Sequence, residues 1–131
     1  MMPLAQRVLS CRVPKGGLCV FFAGQAGFIL KDADGRLTAI DLYLSDCCER
    51  YFGFRRLMPK ILEADDLTFD TVIATHAHYD HFDPDAMPVL LADARTRFVG
   101  ALDTRAEFER LGLTRGRADF LKPGDEVTSG D

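Results

Sequence analysis

All three histidines of this chain fall within six residues, in Thr75-His76-Ala77-His78-Tyr79-Asp80-His81-Phe82-Asp83-Pro84, with one aspartate between the second and the third. Imidazole nitrogen and carboxylate oxygen are the donors expected for zinc, manganese or ferrous iron. The run just before, Thr71-Val72-Ile73-Ala74, is β-branched and apolar and predicts a buried strand. The histidines therefore sit on a loop leaving the carboxyl end of a strand, the end at which open α/β sheets place their ligands. His76 and His78 are two residues apart, so extended backbone points both rings to one side, where they can share an ion. Asp80 and His81 follow at once, and a turning loop aims them at a second position nearby. Two close metals can hold a bridging hydroxide and clamp substrate oxygens. The competing reading is a polar surface loop that happens to be rich in histidine. The strand-loop-helix setting favours metal.

The rest of the chain supplies that setting. Residues 1–17 carry Pro3, Pro14 and Gly16-Gly17 without a sustained period, and read as an amino-terminal arm with at most a short strand. Leu18 to Ala23 is an apolar, aromatic-rich run that predicts a strand. Gly24 to Gly27 turns or bulges the chain, and Phe28-Ile29-Leu30 resumes it. Asp34-Gly35 is a hairpin signal, and Arg36 to Ile40 returns as a strand that ends at Asp41. Tyr43 to Asp66 contains Tyr51, Phe52, Phe54, Arg55 and Arg56. These fit equally a pocket rim that meets an anionic substrate and a packed loop with solvated arginines. Leu62 to Asp66 reads as a short helical turn. Asp83-Pro84 predicts a helix start, an acid at the N-cap followed by proline at the first helical position, with Ala86 to Leu91 continuing the helix. Thr96 to Gly100 is a strand. A second helix is capped by Asp103 or Thr104, carries Ala106, Phe108 and Leu111 as its apolar stripe, and stops at Gly112. Ala118 to Leu121 is a strand, Pro123-Gly124-Asp125 a turn, and Glu126 to Thr128 the start of a further strand. Strands followed by alternating strand and helix give an α/β layer architecture, a mixed sheet with flanking helices.

With 131 residues the chain is at most one domain, and 47% hydrophobic residues suffice for a core. The net charge of -4 and the dispersed basic residues argue against a nucleic-acid surface or a polybasic membrane anchor. The longest apolar stretch, Leu18 to Leu30, is interrupted by Gly24, Gln25 and Gly27 and is too short to span a bilayer. Ser10, Arg12 and Lys15 break any signal-like segment, so a cytoplasmic location is the expectation. Cys11, Cys19, Cys47 and Cys48 form no Cys-x-x-Cys pair. Reduced thiols in or near the core are expected rather than metal ligands or a redox pair.

His76-Ala77-His78-Tyr79-Asp80-His81 resembles the His-x-His-x-Asp-His signature of the metallo-β-lactamase fold. The wider context is similar to the branch that contains L-ascorbate-6-phosphate lactonase: Gly24-Gln25-Ala26-Gly27-Phe28, Ile40-Asp41 with Tyr43-Leu44-Ser45-Asp46, Arg50-Tyr51-Phe52-Gly53-Phe54, and Lys122-Pro123-Gly124-Asp125. The resemblance runs from about Leu18 to Val127. It implies the amino-terminal half of an αββα sandwich and hydrolysis by a metal-activated water. The resembled enzymes hold two divalent ions, zinc or manganese, with iron also accepted. It assigns His76 and His78 to one metal and Asp80 and His81 to the other, with Asp80 also orienting the attacking water. It assigns Asp41 to hydrogen-bonded support of a ligand. Relatives usually carry proline after this aspartate, where this chain has Leu42.

The implied substrate is a small molecule, a lactone or ester, with a phosphorylated sugar-acid lactone favoured. The alternatives are a phosphodiesterase or phospholipase-like hydrolase of the same fold, and a non-catalytic metal-binding or interaction domain. Homo-oligomerisation is left open. The resembled family also needs later histidines and a bridging aspartate, and no histidine follows His81. Residues 18–131 are thus expected to be a partial domain, truncated at its carboxyl end, that alone binds metal weakly and turns over little.

Overall fold

The computed structural model of the chain describes residues 1–113 and 117–128. Six strands form one sheet in chain order: β1 (Leu18–Gly24), β2 (Gly27–Asp32), β3 (Leu37–Ile40), β4 (Thr71–Ala74), β5 (Arg97–Ala101) and β6 (Arg117–Leu121). The first three pair antiparallel through tight turns, and β3 to β6 pair parallel. The connections explain the change of sense. Two to four residues suffice for a hairpin, whereas parallel neighbours need a longer crossover. This is the mixed sheet with flanking helices expected from the sequence.

One face of the sheet is packed. Ile29, Ala39, Val72, Ala74 and Phe98 join Leu42, Phe69, Phe82, Met87 and Phe108 in one core. Alternation along β1 leaves Leu18, Val20 and Phe22 on the opposite, exposed face. Phe22 lies across from Phe28 there, with ring centroids 5.4 Å apart.

The helices depart from expectation at several points. The arm contains a helix, α1 (Leu4–Ser10), rather than a strand. Leu4 and Val8, four apart, bury on the core, and Lys31 Nζ on β2 donates to the Val8 and Leu9 carbonyls. Helix α2 (Cys47–Phe52) stops at Gly53, whose φ of 77° takes the left-handed cap that a side chain would strain. Leu62 to Asp66 forms only a turn, closed by the Asp66 amide on the Glu63 carbonyl. The Asp83 carboxylate accepts the Asp85 and Ala86 amides as an N-cap should. Regular helix begins later, however, at α3 (Met87–Leu90), after turns through residues 84–86.

A 3₁₀ turn (Leu102–Thr104) leads into α4 (Arg105–Arg110), and neither Asp103 nor Thr104 makes a side-chain cap. The Thr104 hydroxyl donates to the Ala101 carbonyl instead. It occupies the space a side chain on Gly100 would need. Phe108 is buried and Leu111 half-buried, but Ala106 faces solvent, because the stripe of so short a helix is one residue wide. Pro123 and Gly124 turn as expected, yet 126–128 is not a strand. It is exposed, and Arg97 Nη1 holds the Thr128 carbonyl at 2.7 Å. The expected domain limit at Asp131 lies outside the described residues.

Candidate metal centre

Parallel pairing brings the carboxyl ends of β3, β4 and β5 side by side, with Ile40 beside Ile73 and Ala74 beside Gly100. The residues that follow each strand therefore meet at one edge: Asp41 after β3, Thr75 and His76 after β4, Asp103 beyond β5.

Asp41 is 5% exposed and sits at φ 51°, a region aspartate tolerates better than most residues. Its carboxylate accepts the Thr75 amide at 2.7 Å, the Thr75 hydroxyl at 2.6 Å and His81 Nδ1 at 2.9 Å. That contact fixes the His81 ring and leaves Nε2 facing away from Asp41, 3.5 Å from Asp80 Oδ2. His76 Nδ1 lies 3.0 Å from the Thr75 hydroxyl. The loop itself is bent rather than extended, and the His81 and Phe82 amides both donate to the His78 carbonyl. The rings still gather: His76 lies 4.7 Å from His78 and 4.0 Å from His81 between centroids. His81 is thus as much a neighbour of His76 as His78 is, which the pairing expected from spacing did not contain.

Asp80 and His81 are also brought together, and Gln25, at the β1–β2 turn, donates to Asp80 Oδ2 at 3.3 Å. Among the described residues, no group of three or more His, Cys, Asp or Glu side chains is arranged to hold a metal ion as it stands. The donor set itself suits one. Three imidazoles and a carboxylate lie adjacent, and two of the rings have Nδ1 already engaged by oxygen partners.

A second carboxylate ties down the far end of the loop. Asp83 is fully buried and accepts six hydrogen bonds, from the Leu44, Ser45, Asp85 and Ala86 amides, the Ser45 hydroxyl and the Cys47 thiol. It thereby joins the loop after β3 to the loop after β4. Asp103 Oδ2 accepts the Ala77 amide at 3.2 Å. Tyr79 leans away from the histidines. Its hydroxyl donates to Glu107 at 3.3 Å, and its ring packs on Tyr51 and Phe52. Burial, then the nearby Glu107 carboxylate, push the Tyr79 phenol above its ordinary value.

Burial also pushes the Tyr43 phenol and the Cys47 thiol up to about 12. Cys47 and Cys48 are buried free thiols, as expected. Cys11 and Cys19 are free as well, and their sulfurs lie 3.2 Å apart.

Gln25, Asp83 and Asp103 were not singled out as site residues in the sequence. A carboxylate beginning a helix was the visible signal for Asp83. Asp103 was marked only as a candidate helix cap, and it bonds the Ala77 amide instead.

No family model matches the chain, and no curated protein matches it. In structure it is similar to the "Putative metal-dependent hydrolase" of Parabacteroides distasonis ATCC 8503. The TM-score is 0.58 at 21% identity, over 91% of this chain and 44% of that one. It is also similar to the metallo-β-lactamase fold protein YhfI of Bacillus subtilis, with TM-score 0.48 at 20% identity, over 93% of this chain and 47% of that one. The chain spans less than half the length of either protein. The likeness to the Parabacteroides structure is one of fold. Among the described residues no helix is long and apolar enough to cross a membrane.

Proposed function

We propose that this chain carries the metal-gripping half of a metal-dependent hydrolase of the metallo-β-lactamase type. The observation that carries the reading is the gathering of three imidazoles at the carboxyl edge of a parallel sheet, two with Nδ1 held by Asp41 and Thr75. The fold shared with a protein described as a hydrolase supports it. His76, His78, Asp80 and His81 would hold zinc or manganese, with iron as a further candidate. Such ions lower the pKa of bound water and polarise a substrate oxygen.

The chain's own groups have separable tasks. Asp41 holds the His81 ring and keeps its Nδ1 protonated, so that Nε2 is the donor. Gln25 positions Asp80. Asp83 fixes the loop on which all four donors sit. The reaction we infer for the whole protein is hydrolysis of an ester or lactone of a small molecule. A phosphodiester substrate is the alternative. Calorimetric titration of the 131-residue chain with zinc and with manganese tests the reading. Saturable micromolar uptake that disappears in His76→Ala and His78→Ala supports it. Uptake unchanged by both substitutions would sink it.

A further inference from the structure

A cavity of about 810 Å³ opens beside the histidine loop, within the range of about 300–1,000 Å³ typical of small-molecule sites. His78, Tyr79 and Asp80 line one side. The apolar part of the lining is Phe52, Phe54, Leu57 and Met58, with Arg55 among them. Phe54 is 70% and Leu57 95% exposed, apolar side chains of the kind that line binding grooves and interfaces. The aromatic rings form a continuous series from Tyr79 to Phe54. Tyr79 lies 5.8 Å from Phe52, and Phe52 lies 6.2 Å from Phe54.

The two arginines on the wall differ. Arg56 donates to the Tyr43 and Ser45 carbonyls and covers the Tyr43 ring at 4.2 Å, so it builds the pocket floor. Arg55 is exposed and makes no ion pair among the described residues. The pocket's one acidic side chain, Asp80, sits on the histidine side. A polyhydroxylated sugar acid needs hydrogen-bonding partners along its length, and this wall offers rings, a thioether and aliphatic carbon. A desolvated hydroxyl without a partner costs about 1–3 kcal/mol.

We propose that the pocket takes an amphiphilic anion, an ester whose acyl or aryl body lies along Phe52, Phe54 and Met58. Its negative group is met by Arg55, and its scissile bond lies toward His78 and Asp80. This assignment rests on the hydrolase reading and names the substrate class of the same site.

The test uses aromatic-resonance NMR of the 131-residue chain. It is titrated with decanoate below its micelle-forming concentration and, separately, with glucose 6-phosphate. Decanoate shifts Phe52, Phe54 and Tyr79 saturably. Phe54→Ala and Arg55→Ala each weaken it about tenfold, the loss of one aromatic or charged contact. Glucose 6-phosphate leaves the same resonances in place. Tighter binding of glucose 6-phosphate, or decanoate binding indifferent to both substitutions, overturns the proposal. So does sedimentation showing a dimer that Phe54→Ala dissociates, since the wall would then belong to a second copy. Zinc titration of the same samples separates the two readings. Phe54→Ala keeps wild-type zinc uptake if both are right. Failure of zinc to bind the wild type, with the decanoate shifts intact, strikes the metal reading and leaves the pocket assignment standing.

Discussion

The loop from Thr75 to Asp83 and the segment from Gly53 to Ile61 both line one cavity and are held in different ways. Carboxylates tie the loop at both ends. Asp41 holds Thr75 and His81, and Asp83 holds the chain at Leu44, Ser45, Asp85 and Ala86. Both carboxylates are buried, where a hydrogen bond is strong and an unmade one costly. The second segment hangs on Arg56, and on the Phe54 amide bonded to Cys48, with its large apolar side chains in solvent. On the proposed reading this is a division of labour. Chelation needs donors held to fractions of an ångström, whereas an apolar wall discriminates by shape and can adjust.

If that contrast is right, substitutions on the two sides should differ sharply. Asp83→Ala should have the largest effect. It strips the partner from four backbone amides, a hydroxyl and the Cys47 thiol at once, and should lower the unfolding free energy by about 3–5 kcal/mol in urea titration. A loss below about 1 kcal/mol would mean water replaces the carboxylate easily.

Asp41→Ala comes next. A stability loss of about 2 kcal/mol should accompany a 10–100-fold fall in zinc affinity, because His81 loses its orienting partner. Stability lost without any change in zinc affinity would reduce Asp41 to scaffolding.

Alkaline pH gives a third, smaller test. The Cys47 thiol titrates near 9 when unfolded and at about 12 in the fold, raised chiefly by burial. Its contribution to stability is therefore complete below pH 9 and lost as pH rises from 9 through about 12. Equilibrium unfolding followed across that window should show the decline, and Cys47→Ser should remove its part between pH 9 and 10 and reduce the rest, the buried Tyr43 phenol, raised from 10 to about 12, keeping its own share. The smallest effect belongs to the wall: Phe54→Ala, at an exposed ring, should change unfolding free energy by less than about 0.5 kcal/mol.

The histidine motif and its strand were legible because both are local patterns. Four β-branched or apolar residues predict β4, and spacing puts His76 near His78, though not His81 as near to His76 as it lies. The turn at Asp34-Gly35 and the cap at Asp83 were legible for the same reason. Asp41 was assigned through resemblance, since nothing in its immediate neighbours shows that it meets Thr75 and His81 across parallel strands. Long-range partners stayed hidden. Gln25 reaches Asp80, Asp103 reaches the Ala77 amide and Lys31 reaches α1 only because of the strand order. The arm's helix was missed because Leu4 and Val8 give one buried turn, too short a period to register between prolines. The role of Tyr51, Phe52, Phe54, Arg55 and Arg56 was left open between pocket rim and packed loop. Arg56 packs on backbone carbonyls, and both arginines line the cavity.

The central claim is that these imidazoles share a divalent cation, and nitrogen-15 NMR of the histidine rings during zinc addition addresses it at the donor atoms. Nε2 of His76 and of His81 should move to the metal-bound range while their Nδ1 atoms keep the hydrogen-bonded shifts given by Thr75 and Asp41. Ring nitrogens that keep their zinc-free shifts up to saturating zinc would contradict it.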